Sequence, residues 1–342
     1  MSNRDIIGIG GSAGSTEALR TVLGLLPAGL KASVFVTTHI GAGRRQYLAE
    51  ILGRICALPV RVAAQGEEVL PGRVYLAVPN AHLLVVKQRV MLGSGPRENM
   101  VRPSVDPMLR ALAMSYGPRV IGVILSGALN DGAAGLFAVK QCGGLAVVQS
   151  PDDALVSDMP RAAIEAAEPD HMAAAAAIGA LLPALVGTQA PRSPPCPSEV
   201  RLEVEIAAGG RLGSDRLREF ATPVALSCPH CHGVLSEIAE SRPLRYRCQV
   251  GDGFTAQVLN DTQKLDTEEA LRVALRVMEE RVELVDRMGK DARRQGRTAV
   301  AEIYEGRKQE YASQADILRK AVLAGMPPMV EKEQEASDPE SV

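Results

Sequence analysis

The sequence predicts an α/β fold: a doubly wound, mainly parallel sheet, followed by a small Cys-rich ribbon module and a C-terminal helical hairpin or coiled coil. Three observations predict it. Short apolar runs alternate with helical patterns between residues 5 and 185, which is typical of βαβ units. Three of the six cysteines cluster between residues 228 and 248. Residues 266–323 lack proline and space their apolar residues by three and four, as coiled coils do.

The elements of the sheet region are assigned in order along the chain. Strands are predicted where aliphatic and β-branched residues run together, and helices where apolar residues recur every three or four positions. The predicted strands cover 5–9, 33–37, 73–78, 120–125 and 145–149, with a hairpin at 83–86 and 89–92. The predicted helices cover 16–26, 45–56, 105–116 and a segment that ends near 141.

Composition divides the chain into five predicted segments. Pro, Ser and Gln become frequent after residue 186, which indicates a linker. Gly296 is the predicted corner of the helical hairpin. The predicted boundaries are an α/β domain at 1–186, a linker at 187–222, a ribbon at 223–258, the hairpin at 262–325 and a disordered acidic tail at 326–342.

Composition also excludes several classes of function. The net charge of −2 gives no basis for binding nucleic acid or an anionic membrane. No apolar run reaches the roughly 18 residues needed for membrane insertion, and the amino terminus lacks the apolar region of a secretory signal. The cysteines are unevenly spaced in a long chain, which argues against disulfides. We therefore expect a cytoplasmic protein.

Three polar residues follow predicted parallel strands. Ser12 follows the first strand, His39 the second and Asp131 the strand at 120–125. Because parallel sheets place ligands beyond the carboxyl ends of their strands, these side chains are candidates for one site. A serine nucleophile needs a base, and the base needs an orienting group. The residue types alone leave alternatives open: Ser12 as a helix cap or phosphate ligand, His39 as a core residue and Asp131 as a cap.

A nucleotide-binding protein is the first competing hypothesis, with the Gly-rich segment 8–14 as a phosphate loop. The segment lacks the G-x-G-x-x-G spacing and the Walker lysine. No acidic residue follows the second strand to bind a ribose. The sequence therefore favours the hydrolase interpretation.

Residues 6–168 resemble the catalytic domain of CheB-type chemotaxis methylesterases. The segments that carry the resemblance are IGIGGSAGSTEAL, THIGAG, GEEVLPGRVYLAVPNAHLLV, GPRENMVRPSVDPMLRALA, VIGVILSGALNDGAAGL and VVQSPDDALVSDMPRAAI. The resemblance implies hydrolysis of glutamate γ-methyl esters on methyl-accepting chemoreceptor-type proteins, with deamidation of glutamines in many members and no cofactor for catalysis. It places the nucleophile, base and orienting acid on Ser12, His39 and Asp131, and backbone oxyanion donors at Ala13 and Ala128.

The sequence departs from the family pattern in three places, one of which is Ala77-Val78-Pro79 where the family usually has Ala-Pro-Pro. The turn after the first strand reads Ser12-Ala13-Gly14-Ser15, and the family's usual Met before the acid is Ala128. Because Ser12 lies near the amino terminus, we expect the stand-alone form, without a receiver domain. A non-catalytic signalling adaptor that acts through the helical tail is the alternative function, and the complete trio argues against it.

The C-terminal part resembles stand-alone members that carry a CPxCxG…RCxxGH segment before a helical segment. Cys228, Cys231 and Cys248 are three of the four ligands that a structural zinc site needs. Asp252 stands where the resemblance expects a His, and His230 or His232 could replace it as the fourth ligand. The C-terminal helices could form a homodimer or dock the enzyme to a receptor.

Overall fold

A parallel sheet of seven strands organises the amino-terminal part of the chain. The computed structural model describes residues 2–39, 45–210 and 214–324. The strands are β1 (Ile6–Gly11), β2 (Ser33–Thr38), β3 (Val60–Val62), β4 (Arg73–Leu76), β5 (His82–Val86), β6 (Arg89–Gly93), β7 (Val120–Ile124), β8 (Leu145–Gln149), β9 (His171–Ala173), β10 (Ala221–Ser227), β11 (Val234–Ile238), β12 (Arg245–Cys248) and β13 (Gly253–Thr255). The helices are α1 (Ser15–Gly24), α2 (Arg45–Ile55), α3 (Val105–Tyr116), α4 (Ala133–Gln141), α5 (Asp158–Ala167), α6 (Ala175–Leu185), α7 (Ser198–Ala207), α8 (Ser214–Arg218), α9 (Ala256–Arg294) and α10 (Thr298–Ala324).

The large sheet has the order β3-β4-β2-β1-β7-β8-β9, and all its neighbouring strands are parallel. Every residue of β1, β2 and β7 is buried, since helices cover both faces. Helices α3, α4 and α5 pack on one face and α1, α2 and α6 on the other. The predicted doubly wound parallel sheet is confirmed.

Glycines in β1 let α3 approach the sheet closely. A Cβ at Gly8 would lie 2.7 Å from a methyl group of Leu112, and one at Gly10 would lie 2.2 Å from a methyl group of Val105. Any larger residue at these positions would push α3 away from the sheet. The contact at Gly10 therefore sets the amino terminus of α3 against the end of β1.

β1 lies between β2 and β7, and the strand order reverses there: β2, β4 and β3 lie on one side of β1, and β7, β8 and β9 lie on the other. Gly11 pairs with Thr38 of β2, and Gly10 pairs with Ile124 of β7. The carboxyl ends of these three strands therefore meet at one edge. Such a reversal of strand order is where open α/β sheets bind their ligands.

The ribbon is an antiparallel sheet of four strands, β10-β11-β12-β13. It lies in the same compact unit as the large sheet, residues 1–260. The prediction of a linker at 187–222 was wrong for part of that range, because α7, α8 and the first residues of β10 occur there. Helix α7 buries Leu202 and Ile206 against α8 and β10 and buries Val204 and Ala207 against β5 and α3. Burial on both sides stabilises a helix that composition alone did not reveal.

Buried charges join the ribbon to the helices that pack beside the large sheet. Glu203 of α7 accepts hydrogen bonds from Arg245 (2.7 Å) and Arg247 (2.9 Å) of β12. Glu98 pairs with Arg247 at 3.1 Å and with Arg110 of α3. Removing one member of such a network leaves an uncompensated buried charge. These pairs therefore connect β12 of the ribbon to α7 and, through Glu98, to α3.

A second compact unit comprises residues 261–342, of which 261–324 are described. Its two helical segments are joined at Gly296, which has a φ of 74° and forms the predicted corner. Lys308 contacts Asp286 at 2.8 Å, and the Arg281 guanidinium lies 4.0 Å from the centroid of the Tyr311 ring. The acidic tail at 326–342 lies outside the described residues, and dimerisation through the helices stays a prediction.

No helix among the described residues is both long and apolar enough to cross a bilayer.

Candidate active site

Ser12 lies in a tight turn between β1 and α1. Its N–H donates to the carbonyl of Ser126 (2.9 Å), and its carbonyl accepts hydrogen bonds from the N–H (3.1 Å) and hydroxyl (2.7 Å) of Ser15. Gly14 has a φ of 74° and begins α1, in the left-handed region that glycine adopts without strain. These contacts hold a partly exposed hydroxyl at the carboxyl end of β1.

His39 follows β2 directly and connects the other two residues. Its Nδ1 lies 3.1 Å from Ser12 Oγ, and its Nε2 lies 2.7 Å from Asp131 Oδ2. Because an ionised carboxylate only accepts hydrogen bonds, Nε2 carries the proton. The lone pair of Nδ1 then faces the Ser12 hydroxyl. In chymotrypsin-type triads Nε2 faces the serine and Nδ1 faces the aspartate. Here the two nitrogens have the opposite partners.

Asp131 is buried against the amino terminus of α3. Its carboxylate accepts hydrogen bonds from the Ser104 hydroxyl (2.6 Å) and from the N–H groups of Val105 (2.7 Å) and Asp106 (3.2 Å). Free amides at a helix amino terminus stabilise negative charge. Burial opposes ionisation, yet the hydrogen bonds from His39, Ser104 and Val105 hold the pKa of Asp131 below its usual range. Asp131 is therefore a permanent anion at neutral pH.

The site shifts the pKa of His39 upward. Burial alone would lower it, but the hydrogen bond to Asp131 and the charges of Asp131 and Asp106 outweigh burial and raise the pKa above 6.5. Asp106 is itself unusual, because burial and the nearby Asp131 charge raise its pKa to about 7. Its Oδ1 accepts the N–H of Gly135 at 2.7 Å. The arrangement makes a histidine base stronger than a free imidazole.

Comparison with known proteins agrees with this geometry. Residues 7–182 match the family model for CheB methylesterase.

The chain belongs to the CheB methylesterase family.

A Leptospira interrogans relative, named for methylesterase and glutaminase activities, is 42% identical over 171 residues, which are 50% of this chain and 89% of the relative. The protein-glutamate methylesterase/protein-glutamine glutaminase of Salmonella typhimurium is 39% identical over 168 residues, 48% of each chain. The crystal structure of the Thermotoga maritima CheB methylesterase catalytic domain superimposes with a TM-score of 0.52 at 34% identity, covering 54% of this chain and 100% of that one. The resemblance inferred from the motifs is confirmed, and the chain is a carboxylic-ester hydrolase by family.

The two predicted oxyanion donors of this CheB-family chain flank the Ser12 turn. Ala13 and Ala128 are both exposed, and no described residue accepts a hydrogen bond from either backbone N–H. Gly127, next to Ala128, lies so close to Ser12 that a Cβ there would be 3.0 Å from the Ser12 Cβ. Both amides are therefore available to a ligand beside the serine. Their role as oxyanion donors stays a prediction.

Several residues of the site were missed by sequence reasoning. Ser104 and the first amides of α3 bind Asp131, and Asn99 and Asp106 lie beside it. A signal was present: Ser104, followed by Asp106, precedes an apolar helical pattern, which is typical of a helix amino terminus. This signal predicts where α3 starts. It does not predict that the start of α3 binds Asp131, because Asp131 lies in a loop 25 or more residues away in the chain.

The ribbon brings the three predicted zinc ligands together. The sulfur atoms of Cys228, Cys231 and Cys248 all lie within 4.8 Å of one another, and two thiolates bound at about 2.3 Å to one tetrahedral zinc lie roughly 3.8 Å apart. Asp252, His230 and His232 do not belong to this group of mutually close ligands. Asp252 contacts His230 Nδ1 at 2.8 Å and Cys248 Sγ at 4.0 Å. The three cysteines fit a metal; Asp252 contacts one of them, Cys248, and His230 contacts Asp252.

Proposed function

We propose that this chain hydrolyses glutamate γ-methyl esters on chemoreceptor-type signalling proteins, using Ser12 as nucleophile, His39 as base and Asp131 as orienting acid. The observation that carries the proposal is the continuous contact from Ser12 Oγ through the His39 ring to Asp131, at 3.1 and 2.7 Å. The relatives support the substrate class, because their names specify protein-glutamate methylesterase and protein-glutamine glutaminase.

The geometry supports a two-step acyl transfer. Ser12 Oγ attacks the ester carbonyl while its proton passes to His39 Nδ1, and the oxyanion accepts hydrogen bonds from the Ala13 and Ala128 amides. The tetrahedral intermediate collapses, and the methoxide leaves with the His39 proton as methanol. Water, deprotonated by His39, then cleaves the acyl-serine to a glutamate carboxylate and regenerates Ser12. With a glutamine substrate, the same steps would release ammonia.

Asp131 acts through His39 in this scheme. It holds the proton on Nε2, so that Nδ1 is free to accept the serine proton. It also stabilises the imidazolium that forms when the proton arrives. The Asp131 charge changes little during the reaction, because donors from α3 surround it.

The experiment is methanol release from a methylated chemoreceptor, measured from pH 5 to 9. We expect release, with kcat/KM rising as pH increases and a midpoint above 6.5, because His39 must be neutral and its pKa is raised. Ammonia release from the receptor with glutamine at the same positions measures the second activity. Absence of methanol at every pH, or a flat profile between pH 5 and 8, would contradict the proposal. The first outcome is the one that a non-catalytic adaptor predicts.

We also propose one structural zinc at Cys228, Cys231 and Cys248, with Asp252 or His230 as the fourth ligand. Burial raises the pKa of Cys228, and that of Cys248 to about 12, so zinc would have to displace the thiol protons when it binds. Metal binding supplies folding free energy in such ribbons.

The purified protein should contain one zinc per chain by atomic emission. Cys231→Ser should lose most of it and lower the Tm by roughly 10 °C. Cys56→Ala, at the end of α2 and outside the cluster, is the matched control and should keep its zinc. Equal zinc content in the Cys231→Ser and wild-type proteins would exclude this ligand set.

A further inference from the structure

Asn99 lies between the ribbon and the two buried carboxylates of the active site. Asn99 is 7% exposed, so we do not expect its side chain to contact the substrate. Its Nδ2 lies 3.2 Å from Asp106 Oδ2 and 3.5 Å from Asp131 Oδ1. Its Oδ1 accepts the backbone N–H of Thr255, in β13 of the ribbon, at 3.0 Å.

The hydrogen bond from the ribbon sets the orientation of the Asn99 side-chain amide. A backbone N–H can only donate, so the amide oxygen must face Thr255. The amino group, which has two protons and no lone pair to offer, is then directed at the carboxylates. Each proton has an acceptor, one on Asp106 and one on Asp131.

Two neighbouring carboxylates in a buried site repel each other. The repulsion is evident at Asp106, whose pKa the Asp131 charge raises further after burial has done so. A bridging NH₂ group offsets this repulsion by donating to both. Without it, we expect Asp131 to move away from Asp106 and from its hydrogen bond with His39.

The ribbon holds the Asn99 backbone as well. The N–H of Asn99 donates to the Gly253 carbonyl (2.8 Å), and the N–H of Gly253 donates to the Arg97 carbonyl (3.1 Å). The Thr255 hydroxyl donates to Asn130 Oδ1 at 2.6 Å, one residue before Asp131. β13 therefore contacts both Asn99 and the residue that precedes Asp131.

We propose that Asn99 is a positioning residue for Asp131 and that the ribbon fixes its amide through Thr255. This inference rests on the proposed function, in which Asp131 orients His39. It assigns the ribbon a task in the catalytic domain in addition to any metal it binds.

Two substitutions of Asn99 separate positioning from packing. Asn99→Ala removes both donors, and we expect kcat to fall about tenfold with KM within twofold. Asn99→Asp keeps the shape but points a third carboxylate at the pair, and we expect a loss on the order of 100-fold. A packing role predicts the reverse order, because aspartate fills the space that alanine vacates. Asn80→Ala is the matched control: Asn80 also has a positive φ, 57° against 51° at Asn99, and contacts Arg102 instead.

A second measurement does not depend on catalysis. The His39 Nε2 proton, hydrogen-bonded to Asp131, should give a downfield resonance in proton NMR, and that resonance should shift in Asn99→Asp but not in Asn80→Ala. An unshifted resonance in Asn99→Asp, or a larger kcat loss in Asn99→Ala than in Asn99→Asp, would overturn the inference. If Ser12→Ala released methanol as fast as the wild type, the proposed function would fail, while the resonance would still decide the role of Asn99.

Discussion

A Ser12→Ala variant is expected to lose kcat for methanol release on the order of a millionfold, the scale seen when a serine hydrolase loses its nucleophile. Alanine cannot form the acyl-enzyme, and the Ser12 hydroxyl is the group that His39 Nδ1 faces at 3.1 Å. Substrate affinity should change little, because only one oxygen atom is removed. Methanol release from a methylated receptor, under single-turnover conditions, is the measurement.

Ser115→Ala is the control for this substitution. The Ser115 hydroxyl is also half-buried and donates to a carbonyl, that of Val85, at 2.7 Å, outside the site. It should retain wild-type kcat. A Ser12→Ala protein that releases methanol at the wild-type rate would reject the nucleophile assignment. A fluorophosphonate probe that labels the wild type but not Ser12→Ala would independently exclude a non-catalytic adaptor.

Asp131→Asn should produce the second-largest loss, about 10⁴ in kcat. A carboxamide can present its NH₂ to His39, and the ring proton then moves to Nδ1, where it blocks the serine. The acid limb of any residual activity should shift to lower pH, because the Asp131 carboxylate is what raises the pKa of His39 against the effect of burial. The pH dependence of kcat/KM measures this shift.

The same substitution should also destabilise the fold, by about 1–3 kcal/mol at pH 7. Both oxygens of Asp131 accept hydrogen bonds, Oδ2 from Val105 and Oδ1 from Ser104. In Asp131→Asn, the NH₂ of the new carboxamide would therefore face a donor in either orientation. Because the pKa of Asp131 is lowered in the folded protein, its stabilisation is present above an unfolded value of about 3.9 and is lost as the pH falls through the folded value. The difference in unfolding free energy between Asp131→Asn and the wild type should therefore decrease at acidic pH.

Asp170→Asn separates stability from catalysis. Asp170 also accepts a backbone N–H, that of Ala146 at 2.8 Å, and pairs with Lys140, but it lies before β9, at the opposite edge of the sheet. The Asp170→Asn substitution should lower the Tm and leave kcat unchanged. If Asp131→Asn kept wild-type kcat while losing the same stability, Asp131 would be a structural residue only.

The sequence predicted the central strands and the residues that follow them for a physical reason. β1, β2 and β7 are buried on both faces, so their apolar runs stand out, and the polar residue after each run is conspicuous. Parallel strands also share one edge of the sheet, so the sequence predicts Ser12, His39 and Asp131 as candidates for one site. The distances and the orientation of the imidazole required the structure.

The parts that sequence reasoning missed depend on tertiary contacts. β3 and β9 have three residues each, too few for a periodic signal. Helix α7 follows a Pro-rich segment, and it is stabilised by packing against α3, a contact that its own sequence does not indicate. Asn99 lies in an irregular loop, and its importance comes from β13, more than 150 residues later.

The buried pairing of Glu98 and Arg110 with Glu203 and Arg247 has a consequence for dividing the chain. A fragment that ended after α6 would contain the complete trio and the whole parallel sheet. It would also expose Leu84 and Ala111, which α7 covers, and leave Glu98 without Arg247 and Arg110 without Glu203. We therefore expect the smallest fragment that keeps the stability of this unit to extend through the ribbon, to about residue 260.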